Sequence, residues 1–173
     1  MEEQIELYDS FRNKLNRSIK RGQTVQNDCY RLIVHVCIFN SQNQMLIQQR
    51  QSMRRKWPDL WDVSVGGGVA NGENSEQAAT RELSEELGIY HNFSNERPYI
   101  TIYSSDSFDD FYILHQEINL EHLVLQKQEV KNAVWANKEQ IKNLIAQKQF
   151  IDYREEFIDF LFSLKTRGVH KNL

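Results

Sequence analysis

The distribution of apolar and polar residues predicts that the first half of the chain is mainly β-structure. Tyr30 to Phe39 is rich in β-branched and other apolar residues, which predicts a buried strand. Asn40 to Gln44 is a polar turn, and Met45 to Arg50 is predicted to return as the hairpin partner of that strand. Val63 and Val65 alternate with polar neighbours, as the residues of a half-buried strand do.

A helical pattern follows a run of glycines at the centre of the chain. Asn74 and Gln77 have the spacing of a capping box, so a helix is predicted from Ser75 to Leu87. Gly88 is suited to end this helix in a left-handed conformation. The apolar stripe that can pack on a core consists of Ala79, Leu83 and Leu87.

Three further strands are predicted after this helix. Tyr99 to Tyr103 and Phe111 to Ile118 have strand character, and Ala133 to Ala136 is a last short strand. The segment from Ser104 to Phe111 is predicted to be a flexible acidic loop. Its carboxylates could reach a metal or a substrate, although a solvated turn is the simpler interpretation; they are Asp106, Asp109 and Asp110.

The two ends of the chain are predicted to flank this centre. Residues 2 to 20 mix acidic, basic and apolar positions, which predicts a short strand or turn followed by a helix leading into Gly22. From about 137 to 165 the apolar residues recur with helical spacing, which predicts two C-terminal helices. Because no Pro/Gly-rich linker interrupts the 173 residues, we predict a single domain over 1–173 with an N-terminal extension of about 1–28.

Composition narrows the classes of partner. A hydrophobic content of 40% and a charged content of 26% are typical of a soluble globular protein, and the net charge of -3 gives no general reason to bind nucleic acid or acidic membranes. The apolar runs are too short to span a bilayer. Cys29 and Cys37 form no C-x-x-C motif, which favours a reducing cytoplasm. We therefore expect a small-molecule partner and a cytoplasmic location, and the acidic N-terminal arm could mediate a homodimer.

Three glutamates on the predicted helix are the main candidates for chemistry. Glu82, Glu85 and Glu86 stand at i, i+3 and i+4 and so share one helix face. Like charges at this spacing repel by roughly 0.2 to 0.5 kcal/mol per exposed pair, and a divalent cation would relieve the repulsion. Carboxylate oxygens suit Mg²⁺ or Mn²⁺. Taken alone, however, such a triplet is more often a solvated acidic helix face.

The residues around this triplet resemble the signature of the Nudix family, G-x5-E-x7-R-E-U-x-E-E-x-G-U, in which U is an aliphatic residue. The fixed positions are filled by Gly67, Glu73, Arg81, Glu82, Leu83, Glu85, Glu86, Gly88 and Ile89. Nine matches across 23 residues make a highly specific pattern. The resemblance implies an α+β fold, namely an α/β/α sandwich around a mixed, curved sheet. It also implies hydrolysis, with Mg²⁺ or Mn²⁺, of a nucleoside diphosphate linked to another moiety.

The resemblance further implies a role for each matched residue. The three helix glutamates would hold the metal, and Gly67 or its neighbour would add a backbone carbonyl. Arg81 and Glu73 would form an internal ion pair that supports the helix against the loop. A carboxylate is also needed to accept the proton of the attacking water. The candidates for that base are the helix glutamates and Glu129, which precedes the last predicted strand.

Basic residues before the signature are candidates for binding an anionic substrate. Arg50 ends the second predicted strand, where it could face the substrate or pair with a carboxylate at the core edge. Arg54, Arg55 and Lys56 are consecutive, and a solvated basic loop is the simpler interpretation of this run. The functional interpretation is a phosphate-binding flap, since Arg and Lys are the usual phosphate partners. We take Arg50, Arg54 and Arg55 as candidate substrate-binding residues.

The stretch from Arg31 to Glu73 also resembles isopentenyl diphosphate isomerase, a neighbour within the same superfamily. The similarity runs from the strand-end Arg50 through W-P-x-x-W to the glutamate of the signature. Where that enzyme has its catalytic Cys this chain has Gly66, and Arg31 and Gly68 replace metal-binding His residues. Because a double bond cannot be moved without an acid/base pair, hydrolysis is the favoured function. The alternatives are an isomerase-like enzyme and a non-catalytic nucleotide-ligand sensor.

Overall fold

A mixed β-sheet forms the centre of the protein. The structure is a computed structural model and describes residues 4–54 and 56–164. The strands are β1 (Gln4–Tyr8), β2 (Lys14–Lys20), β3 (Arg31–Phe39), β4 (Met45–Arg50), β5 (Trp61–Asp62), β6 (Val65–Gly68), β7 (Ile100–Tyr103), β8 (Ser107–His115) and β9 (Val130–Ala136). In the seven-stranded sheet β3 pairs in parallel with β8 and antiparallel with β6, whereas β4 pairs antiparallel with β5 and β9. A mixed sheet is what the predicted fold class requires.

The hairpin predicted between β3 and β4 is present only at its tip. The two strands pair at Phe39 and Met45, next to the turn, and then separate. They separate because each strand has other partners: β3 lies between β8 and β6, and β4 lies between β5 and β9. The turn prediction was therefore correct, but the pairing of the whole strands was not.

Helices cover both faces of the sheet and make it the middle of three layers. They are α1 (Ser75–Leu87), α2 (Lys138–Ala146) and α3 (Glu155–Ser163), with a short 3-10 helix at Leu120–His122. Along β3, Val36 and Ile38 pack in the core on the α1 side, while Cys37 and Phe39 pack in the core on the side of α2 and α3. Alternate residues of one strand thus supply two separate cores. Within the described ranges, no helix combines the length and apolarity that crossing a membrane requires.

The N-terminal segment forms a hairpin, so the helix predicted there was wrong. Strands β1 and β2 pair antiparallel as a two-stranded sheet. Between them the Asp9 carboxylate accepts the N–H groups of Phe11 and Asn13, at 2.9 and 2.8 Å. This side chain closes a turn in place of the backbone bonds that a helix would make. Ile5 and Leu7 are both buried, and Ile5 also bridges to Ala70 next to β6.

The acidic loop predicted before Phe111 is largely a strand. β8 begins at Ser107, so Asp109 and Asp110 lie in the sheet. Asp110 is fully buried, and it accepts hydrogen bonds from Arg12, from Ser75 Oγ at 2.5 Å and from Thr101 Oγ1 at 2.6 Å. Both interpretations of Asp110, as a solvated turn residue and as a metal or substrate ligand, were therefore wrong.

Candidate active site

Helix α1 presents the glutamates, and both of its ends are fixed as the sequence predicted. Asn74 Oδ1 accepts the backbone N–H of Gln77, and Gln77 Oε1 accepts the backbone N–H of Asn74, each at 2.9 Å. At the other end Gly88 has φ 69° and its N–H bonds Ser84 O. A Cβ at Gly88 would lie 2.7 Å from Val124 Cβ, so glycine is needed there for space as well. The predicted apolar stripe is fully buried under the helix.

Strand β6 lies against α1 so closely that one of its residues has to be glycine. A Cβ on Gly67 would stand 2.0 Å from Glu82 Oε1, which is far inside van der Waals contact. The carboxylate of Glu82 therefore occupies the space that a side chain would need. Gly67 serves the site by leaving space for the Glu82 side chain, and not through an unusual φ.

Glu82 and Glu86 are buried side by side, with exposed fractions of 4% and 2%. Burial raises the pKa of Glu82, although the charge of Arg81 opposes the increase. Burial also raises the pKa of Glu86 well above its ordinary value, and the neighbouring Glu82 carboxylate raises it further. The charge of Glu129 raises both pKa values, which places a third carboxylate in the neighbourhood.

Arg81 lies among the acidic residues of the signature. Its Nε and Nη2 bond the two carboxylate oxygens of Glu73 at 2.7 and 2.9 Å, and Nη2 also bonds Gly68 O at 3.1 Å. The hydrogen bonds to Glu73 are the main reason that the pKa of Arg81 is raised. Its Nη1 lies 2.8 Å from Glu82 Oε1 and 3.1 Å from Glu85 Oε2. The ion pair expected between Arg81 and Glu73 is thus present and joins the helix to the loop before it, while the bond to Gly68 O joins the helix to the end of β6.

Glu85 stands apart from the other two helix glutamates. Its side chain is 47% exposed and turned toward Arg81. Over residues 4–54 and 56–164, no three His, Cys, Asp or Glu side chains converge closely enough to hold a metal ion. The three helix glutamates share one helix face, as the sequence predicts, but their carboxylates are not already gathered into a metal-binding cluster.

Glu129 lies next to the helix glutamates and pairs with a candidate substrate-binding residue. Gln126 N donates to Glu86 O at 3.0 Å, so the turn that carries Glu129 is attached to the end of α1. Arg54 Nη1 lies 2.6 Å from Glu129 Oε1. The backbone of Gln51 bonds Glu129 O at 2.9 Å and brings the basic loop to the same place. Two residues proposed separately from the sequence, a base and a phosphate ligand, are therefore in direct contact.

Arg50 pairs with a carboxylate at the core edge, which was one of its two interpretations. Arg50 Nη1 lies 3.4 Å from Asp62 Oδ2, and both side chains are largely buried. Asp62 Oδ1 accepts the backbone N–H of Val63 at 2.8 Å and Tyr153 Oη–H at 3.2 Å. Substrate binding by Arg50 is not supported by this arrangement. Arg55, the third candidate, lies outside the described residues.

Gln48 belongs to the site, although it was not among the residues chosen from the sequence. It lies on β4 and donates from Nε2 to Glu86 Oε2 at 2.8 Å. Gly66 N is 3.4 Å from the same oxygen. The only signal in the sequence was a glutamine that directly follows the apolar residues of the strand.

The donor set suits a hard divalent cation. The buried carboxylates of Glu82 and Glu86, with Glu129 beside them, offer oxygen atoms, which Mg²⁺ and Mn²⁺ prefer. The buried oxygen Gln48 Oε1 accepts no hydrogen bond from the described residues, whereas Glu82 Oε1 has the Arg81 guanidinium 2.8 Å away. A cation with bound water would balance the carboxylate charge and supply the missing donor.

Comparisons with known proteins bear on the same residues. The NUDIX domain model matches residues 30–159. An uncharacterized Nudix hydrolase of Listeria monocytogenes is 37% identical over 163 residues, which span 94% of this chain and 95% of the relative. A crystal structure of a Deinococcus radiodurans protein covers 95% of this chain and 100% of its own, with a TM-score of 0.75 at 22% identity. An isopentenyl-diphosphate Delta-isomerase of Klebsiella pneumoniae is 42% identical over only 52 residues, which are 30% of this chain and 28% of the isomerase.

Proposed function

The chain belongs to the Nudix hydrolase family, and on that premise we propose that it cleaves a phosphoanhydride bond with the help of Mg²⁺ or Mn²⁺. The substrate class is a nucleoside diphosphate linked to another moiety, or a related organic diphosphate. The observation that carries this proposal is the buried pair of carboxylates, Glu82 and Glu86, with Glu129 and Arg54 next to them. Such a pair is costly to bury unless a cation balances it.

Glu82 and Glu86 hold the cation in this proposal, and Glu85 joins them when it leaves Arg81. When bound, the cation neutralises diphosphate oxygens and lowers the pKa of the attacking water. Other residues of the signature keep these glutamates in place. Arg81 and Glu73 keep α1 against β6, and Gly67 leaves the space in which the Glu82 carboxylate lies.

Glu129 is the proposed general base, and Arg54 is its partner until a substrate binds. Arg54 is a good ligand for phosphate oxygens, so a bound diphosphate would compete with Glu129 for its guanidinium. Glu129 would then be free to take a proton from water. The oxygen of that water bonds to phosphorus, the bridging P–O bond breaks, and the leaving phosphate departs with the bond electrons.

A panel of diphosphates tests this function. Nucleotide sugars, dinucleotides, oxidised nucleoside triphosphates and non-nucleotide diphosphates would be incubated with Mg²⁺, with Mn²⁺ and with a chelator. We expect phosphate-containing products from at least one class, and only when a divalent cation is present. Turnover that continues in the presence of the chelator would contradict the assignment of the metal site. Turnover that is unchanged by Glu86→Gln would contradict it as well. An absence of turnover across the panel with both cations would count against the hydrolase proposal.

Isomerisation of an isoprenoid diphosphate is the second candidate, because part of the chain matches an isomerase. Gly66 stands where the resemblance places the catalytic thiol, and a Cβ there would already lie 3.2 Å from His35 Nδ1. Glycine can neither donate nor accept the side-chain proton that the reaction needs. We therefore expect no proton exchange into isopentenyl diphosphate, measured by NMR, and observed exchange would favour this candidate.

The setting of the enzyme is also part of the proposal. Both cysteines, Cys29 and Cys37, are buried free thiols, which fits a reducing compartment such as the cytoplasm. We take a small-molecule diphosphate as the partner and expect no role for nucleic acid or membrane. The homodimer expected from the acidic N-terminal arm stays a prediction.

A further inference from the structure

Two neighbouring glutamines on β4 have opposite environments. Gln48 is only 2% exposed and reaches the carboxylates of α1. Gln49 lies on the other face of the strand and donates from Nε2 to Asp59 O at 3.0 Å, near solvent. Burying an amide is unfavourable unless both of its ends find partners. The buried position of Gln48 therefore calls for an explanation that its neighbour does not need.

The nitrogen end of Gln48 fixes one oxygen of Glu86. Nε2 donates to Glu86 Oε2 at 2.8 Å, and the backbone N of Gly66 approaches the same oxygen at 3.4 Å. Within the described ranges, both of these bonds reach Oε2. The carboxylate is thus held from β4 and β6 at one oxygen.

The oxygen end of Gln48 is buried and accepts no hydrogen bond from the residues that the structure describes. A buried acceptor without a hydrogen bond is unfavourable, because it has lost the water that would otherwise bind it. Because Mg²⁺ usually keeps several bound waters, a hydrated cation would bring hydrogen-bond donors to this place. A water bound to a cation beside Glu86 would therefore donate a hydrogen bond to Gln48 Oε1, while Gln48 Nε2 bonds Glu86.

We propose that Gln48 is a positioning residue of the cation site: Nε2 orients Glu86, and Oε1 accepts a hydrogen bond from a water bound to the cation. This inference rests on the proposed function, since it needs a cation at Glu82 and Glu86. Residues that hold metal ligands in this way typically affect metal affinity by 10–100-fold when they are replaced.

The substitution Gln48→Met tests this role, because methionine has a similar size and neither a donor nor a strong acceptor. Mn²⁺ affinity would be measured from the EPR signal of the free ion, and Mg²⁺ affinity by calorimetry. We expect binding to weaken about 10–100-fold in Gln48→Met. In the matched control Gln49→Met, one residue along the same strand, the affinity should be unchanged. Binding by Gln48→Met as tight as that of the unsubstituted protein overturns the inference.

Stability measured separately distinguishes positioning from a merely structural role. The free energy of unfolding of each variant would be measured by urea denaturation in the presence of a chelator. A structural role alone would lower this free energy in Gln48→Met and leave the cation affinity unchanged. If the unsubstituted protein binds neither cation, the proposed function fails, and this result is distinct from failure of the inference.

A measurement on the unsubstituted protein covers the case in which Gln48→Met does not fold. The side-chain NH₂ signals of Gln48 and Gln49 would be followed by ¹⁵N NMR during a Mg²⁺ titration, and Gln49→Met would identify the signal of Gln49. We expect the Gln48 signal to shift as the cation binds and the Gln49 signal to move little. A Gln48 signal that does not move at saturating Mg²⁺ overturns the inference.

Discussion

Gly67 and Glu82 show how tightly the site is built at the level of single residues. The absence of one side chain on β6 creates the space that a carboxylate on α1 occupies. Burial then raises the pKa of that carboxylate, and the guanidinium of Arg81 lies beside it. The signature glycine and the signature glutamate therefore depend on each other directly.

Gly67→Ala should displace the Glu82 carboxylate, because the new Cβ would lie 2.0 Å from Oε1. We expect a loss of about 1–3 kcal/mol in the free energy of unfolding, as for other overpacked sites, together with weaker Mn²⁺ binding. Calorimetry with Mn²⁺ and urea denaturation would measure the two effects. Gly68→Ala is the control, since its Cβ would meet only Ile5 Cδ1, at 3.2 Å. Equal Mn²⁺ affinity in both variants would contradict the role given to Gly67.

Glu129→Gln should mainly slow turnover, because the amide can no longer accept the proton of the attacking water. For loss of a general base we expect kcat to fall by about 10²–10⁴-fold. The measurement is steady-state kinetics on whichever diphosphate the panel identifies. Lys131→Met is the control, because Lys131 pairs with Asp59 at 2.7 Å, whereas Glu129 pairs with Arg54. If the kcat of Glu129→Gln is within a few-fold of the kcat of the unsubstituted enzyme, the general base is one of the helix glutamates instead.

At the scale of elements, a buried carboxylate links the N-terminal hairpin to helix α1. Asp110 on β8 accepts Arg12 from the turn between β1 and β2 and Ser75 from the first turn of α1. Tyr112 Oη donates to Ser75 Oγ at 2.8 Å, and Thr101 on β7 donates to Asp110 at 2.6 Å. The β1–β2 turn, β7, β8 and α1 thus meet at the Asp110 side chain. These contacts fix the N-terminal end of α1, as Gly88 fixes its C-terminal end.

Asp110→Asn should destabilise the fold strongly, because it leaves Arg12 without its charged partner in a part-buried network. Weakening the hydrogen bonds of a buried polar group in this way typically costs about 1–3 kcal/mol, and urea denaturation would measure it. The control is Asp106→Asn, which breaks the pair of Arg31 with a carboxylate that is 43% exposed. An exposed pair of that kind contributes at most about 1 kcal/mol. Similar losses in the two variants would contradict the importance of burial at Asp110.

At the scale of the whole molecule, the three-layered arrangement predicts that the chain unfolds as one unit. The sheet is shared by both cores, and the hairpin is attached to it through Ile5 and Asp110. We expect urea transitions followed by far-UV circular dichroism and by tryptophan fluorescence to coincide. Two separate transitions would contradict the prediction of a single domain over 1–173.

Size measurements bear on the predicted homodimer independently of unfolding. The N-terminal arm that motivated the prediction forms a folded hairpin from Gln4 to Lys20, with Phe11 exposed at its turn. A dimer through this hairpin would bury Phe11 and protect it from solvent. The expected mass of one chain is 20.6 kDa, so sedimentation distinguishes one chain from two.

The sequence by itself determined the features that depend on local pattern. Helix α1 runs over the predicted residues because its capping box, apolar stripe and terminal glycine all act within a few positions of one another. The bounds of β4 are as predicted, and those of β3 differ by one residue, since continuous apolar runs specify buried strands. The signature identified the family for the same reason, because its fixed positions lie within one loop and one helix.

Only the tertiary structure decided which polar side chains meet. The burial of Asp110, the pairing of Arg54 with Glu129 and the contact of Gln48 with Glu86 all join residues far apart in the chain. A polar residue in a short segment has the same local pattern whether its partner is water or a buried group elsewhere. The N-terminal hairpin depends similarly on strand pairing and on Asp9, and no helical or strand period reveals such contacts in advance. Sequence pattern therefore determines helix α1 of the candidate site, and long-range packing determines the charges and hydrogen bonds around its glutamates.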